Sequence, residues 1–327
     1  MLLTATRGRA FCAGGDIRQV ASDVTSGPEF LRKEYSLILA LHEIRQEKPL
    51  VSLADGIIFG ADGGLFIAAG TRIVTVDSSF SMPEIALGII PDCGATDWLS
   101  GDYMPRYLGQ WAALTGARLA SPMMGATGLA THMVLGGDND QTRASVQELR
   151  ARLVACPDAS AVATALHNEA VTCRAVAERV GAVTFTALEH AANRAFGPGL
   201  DGLDERLMAM ENVAKAAADE TLMAWASDAR KKLAKGSPAA LLIASEIAQM
   251  SLGDSPTARR SKALGIEFAA NSALVGRGDF EEGVSCAVGT KRGERPRWEH
   301  ANIAAAAADP KVCEILERVR NAEPLTL

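Results

Sequence analysis

This sequence lacks the features of a zinc protein and of a membrane-spanning protein. Its six cysteines include no Cys-x-x-Cys pair, and their spacing matches no pattern of zinc ligands. So few thiols in a chain of 327 residues indicate a reducing compartment. No uninterrupted apolar stretch approaches about 18 residues, so the sequence predicts no membrane span.

Signatures of nucleotide- and metal-dependent enzymes are absent as well. No Walker-type loop, no nucleotide-binding Gly-x-Gly-x-x-Gly motif and no zincin motif occurs, and the five histidines match no metal-ligand spacing. We therefore expect no metal and no separate cofactor. The net charge of −6 argues against broad nucleic-acid binding, and no direct nucleic-acid motif is present.

The sequence does contain a regular alternation of strand and helix patterns over residues 1–76. The order is typical of a parallel α/β unit, in which sites form at the carboxyl ends of the strands. We expect Asp16 to cap the helix that follows the first glycine-rich turn. The predicted elements are a strand at 1–9, a turn from Phe11 to Asp16, a helix at 28–46, a strand at 50–54, a loop from Asp55 to Gly64, a helix at 65–69 and a strand at 71–76.

The remaining chain is predicted to be mostly helical. Residues 102–135 have a compact helical pattern, and 141–274 are rich in alanine, leucine and charged residues. Breaks are expected at 197–204 and 236–238, followed by a loop-like tail at 279–300 and a helix at 310–320. The predicted organisation is a core with the active site at 1–135, a divergent helical region at 136–234, and a C-terminal helical region with the tail at 235–327.

Two short blocks carry the most specific chemical signal. The first is a tight glycine-rich turn, Ala10-Phe11-Cys12-Ala13-Gly14-Gly15-Asp16-Ile17, whose backbone N–H groups are available as donors. The second places two carboxylates, Glu84 and Asp92, on either side of a glycine-proline break. Free amides polarise a thioester oxygen, and paired acids handle the attack and the proton. The blocks therefore predict chemistry on a thioester carbonyl.

These motifs resemble the crotonase superfamily, also called the enoyl-CoA hydratase/isomerase superfamily, and within it the 3-hydroxyisobutyryl-CoA hydrolases. The resemblance covers residues 2–135 and resumes at Ser237-Pro238 and from Glu267 to Trp298. Residues 141–234 are similar only in helical character. The resemblance implies an α/β fold with a crotonase-like ββα-superhelix core, short at its N-terminus, followed by a mostly helical C-terminal region.

The same resemblance implies roles for individual residues. The backbone N–H groups of Gly15 and Ala61 would form an oxyanion hole. Glu84 would act as nucleophile or as general base for water, and Asp92 would orient it or pass a proton. No metal is implied, and coenzyme A enters only as part of the substrate. Residues expected to contact the substrate or its coenzyme A are Ala13, Asp16, Arg18, Gly60 and Gly64.

Four positions distinguish this sequence within the superfamily. Gly64 stands where hydratases carry their second glutamate, and Asp92 stands where they have glycine, so the pattern favours hydrolysis over hydration. Asp62 and Ala61 stand where the family usually carries glycines. A carboxylate at position 62 either caps the helix or faces the thioester pocket, where it would weaken the oxyanion hole.

The resemblance implies an acyl-CoA thioester hydrolase acting on a short branched 3-hydroxyacyl-CoA, a reaction of valine catabolism. One alternative is a catalytically weakened crotonase-fold subunit of a large assembly, such as a mitochondrial ribosome. Another is an enoyl-CoA hydratase/isomerase. The family has a strand pair and a helix before the point where this sequence begins. We therefore expect a homo-oligomer or a subunit of an assembly. The expected location is the mitochondrial matrix or the cytoplasm.

Overall fold

The computed structural model divides the chain into two compact units, each built from three segments. It describes residues 1–5, 10–12, 14–23, 25–134, 139–167, 171–172, 182–197 and 200–327. The first unit comprises Met1–Gly15, Leu37–Ser81 and Arg118–Phe185, and the second comprises Asp16–Ser36, Met82–Ala117 and Thr186–Leu327. The three-part division made from the sequence follows chain order and stays a prediction.

Both described sheets belong to the first unit. One has the strand order β1-β3-β5-β8-β9 and the other β2-β4-β6-β7, and all neighbours are parallel except β8 with β9 and β6 with β7. The predicted parallel α/β unit is thus confirmed. The strands are β1 (Leu2–Thr4), β2 (Ala10–Cys12), β3 (Val51–Ala54), β4 (Ile57–Phe59), β5 (Thr71–Thr75), β6 (Ser79–Ser81), β7 (Leu119–Ala120), β8 (His132–Val134) and β9 (Val171–Thr172).

Strand β3, Val-Ser-Leu-Ala, has the mostly apolar character that its central position requires. All four of its residues are buried, and its neighbours are β1 on one side and β5 on the other. A parallel strand covered on both faces has no solvent side, so its side chains do not alternate between apolar and polar. The strand predicted at 50–54 is confirmed.

The glycine-rich stretches of the first unit are more regular than predicted. Phe11 lies in β2 rather than in a turn, and β4 lies inside the segment predicted as a loop. The following helix begins at Ala61 rather than at Leu65, because Gly60 adopts a φ of 64° and starts the helix there. Glycine content alone suggested an irregular loop, but strand pairing with β2 and β6 orders it.

Helices make up most of the described chain outside the sheets. A 3₁₀ turn spans Glu84–Leu87, and a π-type turn spans Trp98–Asp102. In chain order the α-helices are α1 (Ile17–Ser22), α2 (Gly27–Glu47), α3 (Ala61–Ala68), α4 (Ala95–Asp97), α5 (Arg106–Thr115), α6 (Ser121–Ala126), α7 (Asn139–Val154), α8 (Ala159–His167), α9 (Ala182–Phe196), α10 (Leu203–Ala216), α11 (Glu220–Leu233), α12 (Pro238–Ile247), α13 (Pro256–Leu274), α14 (Gly278–Val288), α15 (Ile303–Ala307) and α16 (Pro310–Arg320).

Most of the predicted helices are confirmed, and two segments need correction. The helices predicted at 28–46 and 310–320 correspond to α2 and α16. Residues 102–135 are not helical throughout, because β7 and β8 join the two sheets there. The predicted mostly helical region likewise contains β9. Each of these strands has only two or three residues, too few for a period to be recognised in the sequence.

The tail predicted to be loop-like begins instead with α14, which packs against the Glu84 turn. A Cβ on Gly283 would lie 2.6 Å from the carbonyl carbon of Leu87, and one on Gly88 would lie 2.6 Å from the backbone of Asp279. Only glycine permits such an approach of two backbones. Asp279 is buried, and its carboxylate accepts hydrogen bonds from the Ser237 hydroxyl and the Glu299 amide. Helix α14 therefore supports the turn that carries Glu84.

Candidate active site

The two predicted oxyanion donors follow two adjacent strands of the first unit. Strand β2 pairs in parallel with β4, with Cys12 opposite Ile58. The turn containing Gly15 follows β2, and Ala61 follows β4, so the two segments leave the same edge of the sheet. Parallel strands present their carboxyl ends at one edge, and for this reason sites of α/β proteins form there.

The amides of Gly15 and Ala61 are suited to bind an oxyanion. Ala61 is the first residue of α3, so its N–H has no partner within the helix and lies at the positive end of the helix dipole. None of the hydrogen bonds among the described residues uses the Gly15 or the Ala61 amide. Both residues are half-buried. Their role as oxyanion donors stays a prediction.

Asp62 links the two segments directly. Its side chain is 1% exposed, and its Oδ2 accepts a hydrogen bond of 2.9 Å from the Gly14 amide. Burial raises the pKa of Asp62 above its usual value, while hydrogen bonds from Cys12 and Gly14 oppose the rise. The carboxylate therefore contacts the glycine-rich turn, and whether it also faces the thioester pocket stays a prediction. A buried carboxyl group thus hydrogen-bonds to the residue next to Gly15.

Glu84 begins the 3₁₀ turn of the second unit and is 4% exposed. The turn closes at Gly88, where the Ile89 amide donates to the Glu84 carbonyl at 3.2 Å. The charge of Glu84 contributes to raising the pKa of the Cys93 thiol, although burial is the larger cause. The Glu84 carboxylate therefore lies within electrostatic range of the segment that carries Asp92.

Asp92 is buried and held on one oxygen. Its Oδ2 accepts hydrogen bonds from the Tyr35 hydroxyl at 2.6 Å and from Asn271 Nδ2 at 3.0 Å. Burial raises the pKa of Asp92 from 3.8 to about 6, and the hydrogen bonds from Tyr35 and Asn271 limit the rise. A carboxyl group with that pKa exchanges a proton near neutral pH, as a general acid or base requires.

Glu267 fixes the backbone that follows Asp92. Its two carboxylate oxygens accept hydrogen bonds from the Gly94 amide at 2.7 Å and the Thr96 amide at 2.8 Å. Burial raises the pKa of Glu267 from 4.5 to about 8, opposed by the Thr96 amide and reinforced by the charge of Asp92. Asn271, one turn further along α13, accepts from the Ile90 amide and donates to the Ile90 carbonyl. Helix α13 thus clamps the Asp92 segment on both sides.

One group of described residues has ligand atoms close enough to hold a metal ion. The ligand atoms of Glu34, Asp92 and Cys93 lie within 4.8 Å of one another. Burial, followed by the charges of Asp92 and Glu34, raises the pKa of the Cys93 thiol well above its usual value. A thiol must lose its proton to bind a metal, so this environment disfavours metal coordination. The absence of a metal or cofactor stays a prediction.

The other predicted contact residues differ in their surroundings. Asp16 caps α1 by accepting from the Gln19 amide at 3.2 Å, as predicted, and it is exposed. Arg18 is an exposed residue of α1. Gly60 and Gly64 are buried at and within the start of α3. Ala13 lies outside the described residues.

Three side chains of the site were missed from the sequence: Tyr35, Glu267 and Asn271. Tyr35 lies within the helix predicted at 28–46, and 57 positions separate it from Asp92. Asn271 lies 179 positions from Asp92. One signal was present, because Glu267 and Asn271 are polar residues four positions apart, on the face of the helix that also carries its buried apolar residues.

Comparison with known proteins identifies the family. The family model described as enoyl-CoA hydratase/isomerase matches residues 1–314. This chain therefore belongs to the enoyl-CoA hydratase/isomerase family of enzymes, and the resemblance inferred from its motifs is confirmed. No helix among the described residues has both the length and the apolar character needed to cross a membrane.

Similar proteins include hydrolases and a hydratase. "Probable 3-hydroxyisobutyryl-CoA hydrolase 3" of Arabidopsis thaliana is 32% identical over 255 residues, which cover 74% of this chain and 60% of that protein. The mitochondrial 3-hydroxyisobutyryl-CoA hydrolase of Homo sapiens is 30% identical over 312 residues, or 93% of this chain and 73% of that protein. The match thus spans less than two thirds of the Arabidopsis protein.

A solved structure confirms the fold class. The crystal structure of an enoyl-CoA hydratase from Rhodobacter sphaeroides superposes with a TM-score of 0.76 at 31% sequence identity. The alignment covers 100% of this chain and 86% of that chain. The crotonase-like α/β fold with a mostly helical C-terminal region, expected from the resemblance, is therefore confirmed.

Proposed function

We propose that this protein hydrolyses a CoA thioester whose acyl group is short, branched and 3-hydroxylated. The observation that carries the proposal is the buried Asp92, which has one oxygen fixed by Tyr35 and Asn271 and a pKa of about 6. Such an acid is suited to proton transfer at neutral pH. The relatives named 3-hydroxyisobutyryl-CoA hydrolase, at about 30% identity, support hydrolysis as the reaction.

In the proposed reaction, the amides of Gly15 and Ala61 bind the thioester oxygen as it gains negative charge. Glu84 attacks the carbonyl carbon or removes a proton from the attacking water. Asp92 orients Glu84 or passes the proton to the departing sulfur. If Glu84 attacks, the C–S bond breaks to leave a mixed anhydride with Glu84, which water then cleaves; if Glu84 acts as base, water forms the new C–O bond as the C–S bond breaks. Either route gives a hydroxy acid and free coenzyme A. The reaction needs no further cofactor.

The residue types in helix α3 support hydrolysis over hydration as the proposed reaction. Gly64, at the position of the second hydratase glutamate, is buried and carries no side chain that could act on an enoyl group. The acid of α3 is instead Asp62, whose carboxylate is committed to the Gly14 amide. Asp92 therefore remains the partner of Glu84 in the proposal.

The contact of Asp62 favours a second candidate function, that of a catalytically weakened subunit of a larger assembly. A carboxylate near Gly15 repels the negative charge that develops on the thioester oxygen. In this second proposal the chain keeps the scaffold and binds other subunits, as a mitochondrial ribosomal component would. We propose that the chain forms a homo-oligomer or is such a subunit. We propose the mitochondrial matrix or the cytoplasm as its location, and the mouse and human relatives, which are named mitochondrial, support the first of these.

Replacing Asp62 tests whether its carboxylate inhibits hydrolysis or takes part in it. Asp62→Asn keeps an oxygen that accepts from the Gly14 amide but removes the charge. We expect kcat for thiol release to rise about tenfold, since charge repulsion near an oxyanion amide opposes part of the few kcal/mol that such a donor supplies. The exposed Asp77→Asn variant is the matched control. A fall in kcat would contradict this interpretation and assign Asp62 a catalytic role.

The proposed reaction is tested by following two products from two substrates. The protein is incubated with 3-hydroxyisobutyryl-CoA while released thiol is measured, and separately with methacrylyl-CoA while loss of the enoyl absorbance is measured. Thiol release from the first substrate without hydration of the second supports the hydrolase. Hydration without thiol release supports the hydratase alternative. Neither reaction, together with co-purification in a large particle, supports the assembly subunit.

A further inference from the structure

Asp92 is the first residue of a tight turn with an uncommon backbone conformation. The Ala95 amide donates to the Asp92 carbonyl at 3.1 Å, which closes the turn. The two central residues, Cys93 and Gly94, have φ values of 57° and 89°. Positive φ at both central positions is the mark of a type I′ turn, which favours Asn-Gly or Gly-Gly. A cysteine in this conformation is strained, because its Cβ crowds the neighbouring backbone.

A strained turn persists only where its surroundings hold it. Here the hold comes from Glu267, which is fully buried on α13. Its carboxylate accepts from the central amide of the turn, that of Gly94, at 2.7 Å and from the Thr96 amide at 2.8 Å. In the mirror-image turn that a cysteine prefers, the central peptide points to the opposite face. The Gly94 amide would then leave Glu267, so this carboxylate selects the strained turn.

We propose that Glu267 is a positioning residue, which acts through the Cys93-Gly94 turn to hold Asp92 in the orientation that the reaction uses. This inference rests on the proposed function, because it names what orients the proposed acid. Glu267 and Asp92 belong to the same compact unit.

The surroundings of Asp92 show why the form of the turn matters. One carboxylate oxygen, Oδ2, accepts from the Tyr35 hydroxyl at 2.6 Å and from Asn271 Nδ2 at 3.0 Å. Asn271 also fixes the backbone of Ile90, two residues before Asp92. The strain at Cys93 is thus located where the direction of a catalytic side chain depends on the backbone, as is common for strained residues.

The test measures the effect of Glu267→Gln in three backgrounds: the otherwise unchanged chain, Cys93→Gly and Cys93→Ala. Glutamine replaces one of the two acceptor oxygens by NH₂, so the turn is held less firmly. We expect kcat for thiol release to fall by about 10- to 100-fold in the unchanged and Cys93→Ala backgrounds, the cost of a misplaced catalytic group. In the Cys93→Gly background the loss should be about threefold or less, because glycine adopts positive φ without support.

Cys93→Ala is the matched control. It removes the buried thiol, as Cys93→Gly does, but keeps the Cβ that strains the turn. Urea unfolding curves establish the conditions in which every variant is folded, and kcat is compared under those conditions. Equal losses of kcat in the glycine and alanine backgrounds would overturn the proposal, because they would leave Glu267 a stabilising role only. An unchanged kcat in Glu267→Gln alone would overturn it as well.

A second readout does not need turnover. The Tyr35 hydroxyl donates to Asp92, so ionisation of Asp92 perturbs the near-ultraviolet absorbance of Tyr35. This change is measured between pH 5 and pH 7 and assigned by its loss in Tyr35→Phe. In combination with Glu267→Gln, we expect Cys93→Gly to retain the change and Cys93→Ala to lose most of it.

The two readouts distinguish failure of this inference from failure of the proposed function. The expected absorbance pattern without thiol release would retain the Glu267 assignment and reject the hydrolase. Thiol release together with equal absorbance changes in the two backgrounds would retain the hydrolase and reject Glu267 as the positioning residue.

Discussion

Asp92→Asn lowers kcat for thioester hydrolysis by about 100- to 10,000-fold, the range expected for loss of a positioned acid or base. The amide oxygen of asparagine still accepts from the Tyr35 hydroxyl and Asn271, so the loop keeps its shape. What is lost is the ability to gain or release a proton. The effect should therefore fall on kcat, with KM little changed.

The pH dependence distinguishes this loss from general damage. The ionised form of Asp92 accepts a hydrogen bond from the Tyr35 hydroxyl, and the pKa of Asp92 is about 6. The rate should therefore rise from pH 5 to pH 7 with a midpoint near 6. Asp92→Asn should lack that rise, and the exposed Asp77→Asn variant should keep it. An unchanged pH profile in Asp92→Asn would rule out Asp92 as the titrating group.

We expect the free energy of unfolding of the unchanged protein to decrease between pH 4.5 and pH 8. Glu267→Gln should remove much of this decrease. The pKa of this buried carboxyl is raised from 4.5 to about 8, so the folded state keeps a proton that the unfolded chain has already lost. Its contribution is fully present below pH 4.5 and is lost as the pH rises through 8. The free energy of unfolding should therefore fall as the pH rises through this window.

Urea unfolding at pH 5, 6, 7 and 8 measures this slope. The variant should be less stable by about 1–3 kcal/mol at pH 5, because the NH₂ group of glutamine then faces a backbone N–H. The difference should shrink toward pH 8, where the unchanged protein must bury a charge. Exposed Glu43→Gln should follow the unchanged protein at every pH. Parallel curves for Glu267→Gln and the unchanged protein would exclude the raised pKa.

Asp92 also makes the free energy of unfolding decrease as the pH rises, over a lower pH range than Glu267. Its folded pKa of about 6 lies above the ordinary value of 3.8, so its stabilising effect is present below pH 3.8 and is lost as the pH rises through 6. Hydrolysis needs the ionised form, whereas stability favours the protonated one. The ionised Asp92 is therefore maintained at the expense of stability, as is common at catalytic sites.

The sequence could predict those parts of the site that depend on short motifs. The turn at Gly15 and the acids Glu84 and Asp92 each lie in a segment whose residue types are specific, whereas the start of α3 was predicted at Leu65 and lies at Ala61. The apolar run that became β3 and the alternation around it were sufficient to predict a parallel sheet. In each case the information is local, because the residues that form the feature are neighbours in the chain.

The parts that the sequence could not predict depend on packing between distant segments. Tyr35 and Asn271 share one oxygen of Asp92 although 236 positions separate the two residues. Helix α14 has glycines at its start and interior, so its propensity is weak, and close packing of Gly283 on Leu87 decides its conformation. Whether Asp62 would face the glycine-rich turn likewise depended on the side-by-side pairing of β2 and β4.

The most direct measurement is the rate of thiol release from 3-hydroxyisobutyryl-CoA by the unchanged protein and by Glu84→Gln, each with its unfolding curve. The proposed mechanism requires measurable turnover by the unchanged protein and a loss of about 1,000-fold in the variant, with matching unfolding curves. Equal turnover by the two proteins would mean that the buried acid of the 3₁₀ turn takes no part in hydrolysis.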